Sequence, residues 1–483
     1  MSRARRGTVL LGALLVVACS GNTSTSPSPT VGATARSTPL NVPLPAGRSA
    51  DEWLTYLGDP VRSGIGAQTP QATNAHRTWT ASVDGDVYAA PLVSAGTVFA
   101  ATEHDTVYAL DAGSGAVRWS RHLGEPVPLS SLSCGNIDPN GVTSTPVLDP
   151  AAQLVYVVAM LDTPVRHEMF ALHLGDGSIA WHRNVDPPGA DPHVYQQRGS
   201  LNLNGGRIYF SYGGFTGDCG TYHGTVAAAP ADPAQPLLFF AVPSEVRAAI
   251  WAAAGPVIAG NGDVWVSTGN SDVFNADNAP YDDNNAVIHL DATLAHALDL
   301  WAPGNWAALN TSDTDLGSLS PALLPGGLVF IAGKNGIGYL LRQSHLGGIG
   351  GEAYSDTVCR NGGPTGGAYG AAAVAADMVF VPCKDGLFAL HVNAAKPSFS
   401  AAWHAAPGAS APVLAYGLLW TVAANPDGYR QVWNGSLVGL DPATGAEKIR
   451  LPLGGVPHFP SPAAATGRIF VAGLGGVYAI SVT

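Results

Sequence analysis

The stretch VYALDAGSGAVRWSRHLG at residues 107–124 decides the fold, because the chain writes it more than once. It returns as MFALHLGDGSIAWHRNVD at 169–186 and as LVGLDPATGAEKIRLPLG at 437–454. Each copy is an apolar strand, a tight Asp/Gly turn and a second strand, and the first two reach a Trp. Asp bonds its own backbone and Gly adopts positive φ, so the pair sets the turn while the apolar flanks set the strands. Around this hairpin lies a longer unit: small residues, often with a Pro, then an apolar strand, a Gly turn and an aromatic-bearing strand. That aromatic falls at Phe99, Tyr156, Tyr209, Trp265, Phe330, Phe380, Trp420 and Phe470, at intervals of 40 to 65 residues that average about 53.

Four short strands per unit, joined by Gly-rich turns at this period, predict the blades of a β-propeller. A lone blade cannot bury both faces, so blades stack into a ring that must close. The last unit supplies only three clear strands before Thr483, and residues 77–83 offer the missing outer strand. Pairing the two ends of the chain leaves no open sheet edge. The expectation is an all-β, eight-bladed propeller over 51–483, with seven blades as the alternative should the third or fifth unit not form one.

The ends and the composition bound the setting. Arg3, Arg5 and Arg6 precede an apolar run of eleven from Thr8 to Ala18, too short to span a bilayer and suited to an export signal. Val16-Val17-Ala18-Cys19 resembles a bacterial lipobox, which implies a signal peptide over 1–18, lipidation of Cys19 and anchoring to a membrane outside the cytoplasm. Residues 19–50 are rich in Ser, Thr, Pro, Ala and Gly and read as a disordered tether. Without the signal, 20 basic residues face 35 acidic ones, about −15. That surface argues against nucleic acid as a partner. It leaves protein partners on a propeller face open, with a monomer expected. Four further cysteines, Cys134, Cys219, Cys359 and Cys383, read as disulfides in an exported chain. Cys134–Cys219 and Cys359–Cys383 are favoured among the three connectivities because each pair links neighbouring repeats.

Asp111-Ala112-Gly113-Ser114-Gly115 to Trp119 and Asp441-Pro442-Ala443-Thr444-Gly445 match the A-L-D-x-x-T-G-x-x-x-W phrase of the quinoprotein-type propeller, and residues 53–64 resemble that family's opening segment. In its dehydrogenases pyrroloquinoline quinone (PQQ) lies on a Trp, a calcium ion is held by a Glu and an Asn, an Asp acts as base and a Lys or Arg touches the quinone. The resemblance implies Trp251 as the stacking ring, Asn270 and Asp218 as metal ligands, Asp313 or Asp315 as base, and Lys334, in the phrase Lys334-Asn335-Gly336, as the quinone contact. The chain departs from that pattern in three respects: it has no adjacent Cys-Cys pair, Cys219 stands nearer the Glu position than Asp218, and no Cys-x-x-Cys-His is present to carry haem.

Two sites stand outside that set. Asp272, Asp277, Asp282 and Asp283 with Asn275, Asn278, Asn284 and Asn285 form an oxygen-rich insertion without EF-hand spacing. Arg198 opens the third unit where other units carry small residues, placing a cation that could face the axis and attract an anion. His104, His167, His193 and His223 share no spacing and read as loop residues. Trp119, Trp181 and Trp403 read as packing between repeats. The leading expectation is a cell-surface propeller that binds a ligand or protein as a scaffold. The alternative is a PQQ- and calcium-dependent dehydrogenase of alcohols or sugars, which convergence of the named side chains would favour.

Overall fold

The computed structural model describes residue 40 and residues 42–483, apart from 274–279, 406–407, 409 and 425–432. The signal peptide, Cys19 and most of the tether lie outside the described residues, as do Asn275, Asp277 and Asn278. Among the described residues the strands form eight sheets, seven of them built outward from the first strand in chain order. These are blades 1 to 8, spanning 92–122, 147–184, 195–241, 257–302, 322–357, 373–405, 413–456 and 463–482. The third and fifth units each make a four-stranded sheet, so the seven-bladed alternative fails. Blade 8 is completed by Ala75–Ser82, which pairs antiparallel with Gly476–Val482 and closes the ring as expected. Blade 4 carries an unforeseen fifth strand, Gly348–Ile349, parallel to Ala297–Ala302, which covers an otherwise open edge.

Burial falls from the axis outward. Second strands such as Thr97–Ala101 and Leu328–Ala332 are buried at every position, whereas the fourth strands Val117–His122 and Ile179–Asn184 have none buried. The eight second-strand aromatics are all 3% exposed or less, covered on both faces by neighbouring blades. The hairpin Trp reaches across to the next blade. The Nε1 of Trp79 donates to Ala112 at 3.1 Å, that of Trp119 to Leu174 at 2.9 Å and that of Trp403 to Pro442 at 3.0 Å, each time to a backbone oxygen. The indole lies against the turn glycine of that blade: a Cβ on Gly115, Gly177 or Gly445 would come within 2.7 Å of its ring atoms. The repeated phrase is therefore a staple between blades.

Residues 50–72 belong to no blade and instead cross one end of the ring. Trp53 bonds Val93 of blade 1, Leu54 accepts from Leu148 of blade 2, and Pro60 accepts from Ile258 of blade 4. Ser63 accepts from Val374 of blade 6, Gly66 donates to Leu414 of blade 7, and Ala50 accepts from Thr466 of blade 8. Arg62 and Thr55 reach the Ser200 and Leu201 carbonyls of blade 3. The Arg62 guanidinium is buried, and burial lowers its pKa to about 9 despite the opposing pull of Asp59. Trp53, Tyr56, Leu57 and Ile65 are each 2% exposed or less, so this segment plugs the axis from below. Leu40, Val42 and Leu44, within the stretch expected as tether, also pack against the buried core.

Candidate functional site

A blade's first strand begins, and its second ends, at the same edge, because the two run antiparallel. Residues just before first strands and just after second strands therefore collect on one face, the open end of a funnel whose floor is the plug. Trp251 precedes blade 4 and Asn270 follows its second strand; Lys334 follows the second strand of blade 5. Asp313 caps the C-terminus of the short helix Trp306–Ser312 in left-handed conformation, φ 49° and ψ 43°, which Asp tolerates.

These four residues converge with Asp315. The Trp251 Nε1 donates to Asp315 Oδ2 at 3.3 Å, and the Lys334 Nζ donates to Asp313 Oδ1 at 3.0 Å and stands 3.4 Å from Asp315 Oδ1. The same ammonium lies 5.6 Å from the Trp251 ring centroid. Asn270 donates to Asp313 Oδ1 at 3.1 Å, and its own oxygen accepts from the buried Asn285 at 3.2 Å. Gly269 permits the approach, since a Cβ there would sit 3.0 Å from Asp315 Oδ2. The two carboxylates differ in access: the Asp313 side chain is 64% exposed and that of Asp315 8%. Burial raises the Asp315 pKa, with Lys334 opposing. Burial alone would lower Lys334, but Asp315 and Asp313 overcome it and hold the ammonium above its ordinary value.

The other expected residues stand outside this hydrogen-bonded group, although Asp218 is near enough to raise the Asp315 pKa. Asp218 accepts the Tyr222 hydroxyl at 2.5 Å and takes no hydrogen bond from the Asn270–Asp313 group. Arg198, in strand Tyr195–Asn204, faces the axis among aromatic rings, 5.2 Å from the Phe459 centroid and 6.0 Å from that of Tyr88. Of the oxygen-rich insertion, Asp282 bonds Ser271 and Asn284, and Asn285 braces Asn270. His167 is a correction: it lies buried in strand Arg166–His173 and bonds Asp186 at 2.8 Å, because its strand is covered on that face. The cysteines pair as favoured, Cys134–Cys219 and Cys359–Cys383. The second disulfide immediately precedes Lys384, whose ammonium lies 4.9 Å from the Tyr369 centroid. Tyr369, Phe459, Lys384 and His458 line the funnel and were missed. Tyr369, His458 and Phe459 stand in the irregular approaches to blades and Lys384 in the turn after the second strand of blade 6, where no period marks them.

The set suits one of the two groups that the resemblance implies. A flat ring can lie beside the half-buried Trp251 with Lys334 at its edge, so these residues fit a quinone. They do not form a closed metal shell. Among the described residues the one cluster of three His, Cys, Asp or Glu ligands is Cys359, Cys383 and Asp385, and its cysteines are disulfide-bonded. The cation shared by Asp313 and Asp315 is the Lys334 ammonium, and Asp218 is engaged by Tyr222.

Residues 71–279 match the family model described as outer membrane protein assembly factor BamB. A comparison with curated proteins gave no match. Among solved structures, the chain is similar to the quinohemoprotein alcohol dehydrogenase from Comamonas testosteroni at 17% identity, covering 90% of this chain and 81% of that one with a TM-score of 0.67. It is similar to a europium-containing methanol dehydrogenase at 13% identity, covering 90% and 99%, with a TM-score of 0.66. BamB from Moraxella catarrhalis follows at 12% identity, 85% and 98% coverage and a TM-score of 0.53. The chain shares the fold of these proteins, an eight-bladed β-propeller.

Proposed function

We propose that the chain is an exported, lipid-anchored propeller that holds a quinone of the PQQ type in its axial funnel and oxidises an alcohol or sugar. One observation carries this reading: Trp251, Asn270, Asp313, Asp315 and Lys334, drawn from separate turns between residues 251 and 334, meet through hydrogen bonds of 3.0 to 3.3 Å. In it, Trp251 supplies the stacking face, and Asp315 fixes both the indole and Lys334. Lys334 places positive charge at the edge of the bound ring. Asp313, the accessible carboxylate, takes the alcohol proton. A bound quinone would supply the two-electron acceptor. No step is assigned to calcium, because the ligands do not close around one.

A second reading, a binding scaffold without redox chemistry, is favoured by the BamB family match over residues 71–279. Titration separates the two. PQQ added to the full-length protein in detergent, with and without Ca²⁺, is followed by tryptophan fluorescence and calorimetry. Saturable binding that falls about tenfold or more in Trp251→Ala and Lys334→Ala supports the quinone reading. In that case Asp313→Asn keeps the binding and loses turnover. No binding at about 50 μM, a Kd ceiling that leaves under about 6 kcal/mol, overturns it and leaves the scaffold.

A further inference from the structure

Arg198 is a half-buried cation that no carboxylate pairs among the described residues, although the buried Glu103 is near enough to draw on it. Among the described residues its guanidinium makes no hydrogen bond or ion pair, and its close contacts are the faces of Phe459 and Tyr88. A guanidinium carries five donors, and shielding it from water without acceptors is costly. Two more basic groups gather at the same ring. The Lys384 Nζ is 5.5 Å from the Phe459 centroid, and the His458 imidazole meets that ring edge-on at 4.9 Å. They come from blade 3, blade 6 and the approach to blade 8, so the ring closure itself assembles them.

We propose that Arg198, Lys384 and His458 form an anion subsite in the axial funnel that takes the carboxylate of a small organic acid. The subsite stands beside the quinone reading and does not depend on it. From Trp251 to Arg198 the ring contacts pass through Tyr369, at 6.1 Å, and then Phe459, stacked on Tyr369 at 5.3 Å and 14°. A flat ligand on Trp251 and an acid at Arg198 are thus on opposite sides of an aromatic pair.

The charges around the subsite set its response to pH. Glu103 is buried, its Oε1 has no partner, and it is the one carboxylate that draws on Arg198. Burial pushes its carboxyl up to about 7, although Gly141, Thr143 and Arg198 favour the anion. Burial lowers the Lys384 ammonium to about 8. His458 is held well below its usual value by burial, then by Arg198 and Lys384, and is neutral across this range. Asp86 and Tyr88, which also face the group, are both raised by burial, and the phenol stays neutral throughout. As pH falls from 8 to 6, Glu103 gains a proton and Lys384 gains its charge. Both changes favour a bound anion.

Gluconate and its neutral counterpart glucose are titrated calorimetrically into the full-length protein, at low salt and without quinone. Gluconate is expected to bind saturably at pH 6 and to weaken about fivefold or more at pH 8, with glucose giving no heat. Arg198→Gln is expected to weaken gluconate by about tenfold or more. Equal binding of glucose, affinity flat or rising with pH, or unchanged affinity in Arg198→Gln overturns the proposal. If that variant misfolds by circular dichroism, the gluconate–glucose contrast and the pH response of the unaltered protein decide. Preloading with PQQ forms the last arm: gluconate binding that persists supports a separate subsite, and its loss assigns the cations to the quinone and overturns it. Because no quinone enters the first titrations, this proposal and the dehydrogenase reading can fail independently.

Discussion

Asp315 and Lys334 show how a single buried pair can organise a site. The carboxylate is almost fully enclosed, yet it holds the Trp251 indole on one oxygen and stands 3.4 Å from the Lys334 ammonium on the other. Removing one partner from such a pair leaves an uncompensated charge, which typically costs about 3–5 kcal/mol. Lys334→Met should therefore destabilise the protein by roughly that amount at pH 7, read as a lower urea midpoint. Asp315→Asn combined with Lys334→Met should recover most of the loss. The deficit of the single variant must also shrink on acidification. Burial raises the Asp315 pKa, and losing the ammonium raises it further, so the cost applies above the unfolded carboxyl value and fades as pH falls through the folded one. A Lys334→Met variant as stable as the parent at pH 7 would show that the pair carries no structural weight. Lys334 was singled out in the sequence through the phrase Lys334-Asn335-Gly336, and Asp313 and Asp315 through their place between that phrase and Asn270. Asn285, which fixes the side chain of Asn270, was not assigned that role, because nothing in an Asn-rich insertion tells a bracing residue from a turn residue.

At the scale of the element, the repeated hairpin works through a contact between blades. Gly177 has φ +68°, and a Cβ there would approach Trp119 to 2.5 Å. Gly189 has φ +76° with nothing within 4 Å. Both need left-handed backbone, so Gly189→Ala measures the conformational cost alone, about 1 kcal/mol. Gly177→Ala must also displace an indole that is bonded to Leu174, and should cost roughly 3 kcal/mol. Equal losses in the two variants, by chemical unfolding, would mean that the Trp–Gly contact is incidental to blade packing. The strands and staples were readable because they recur: a period of about 53 residues repeats each buried aromatic and each turn. The funnel lining was not. Tyr88, Tyr369, His458 and Phe459 lie before first strands, where each blade differs, and only the closed ring brings them together. The bond that Asp218, expected as a metal ligand, takes from Tyr222 was unreadable for a related reason. The neighbouring Tyr222 takes its carboxylate, and a gap of four residues in an irregular loop announces no such bond.

For the whole molecule, closure depends on both ends of one chain segment. Residues 75–82 complete blade 8, and residues 50–72, immediately before them, bond seven of the eight blades from below. The sequence pointed to the closing strand because the last unit lacked one. It gave no hint that the preceding segment is a plug, since hydrogen bonds to seven different blades leave no periodic trace. The plug buries Trp53, Tyr56, Leu57 and Ile65 almost completely. At roughly 2 kcal/mol for each such side chain, its apolar contribution is about 8 kcal/mol, comparable with the net stability of an ordinary domain. Its Arg62 also bonds the Ser200 and Leu201 carbonyls of blade 3. A chain beginning at residue 73 keeps the closing strand and all eight blades, yet should not hold a closed ring. It should elute as aggregate or show no cooperative melt, and a separate peptide of residues 40–72 should restore the transition. If the shortened chain instead melts within a few degrees of the parent, the blades close by their own contacts, and the segment is a cover over the axis rather than a part of what holds the ring.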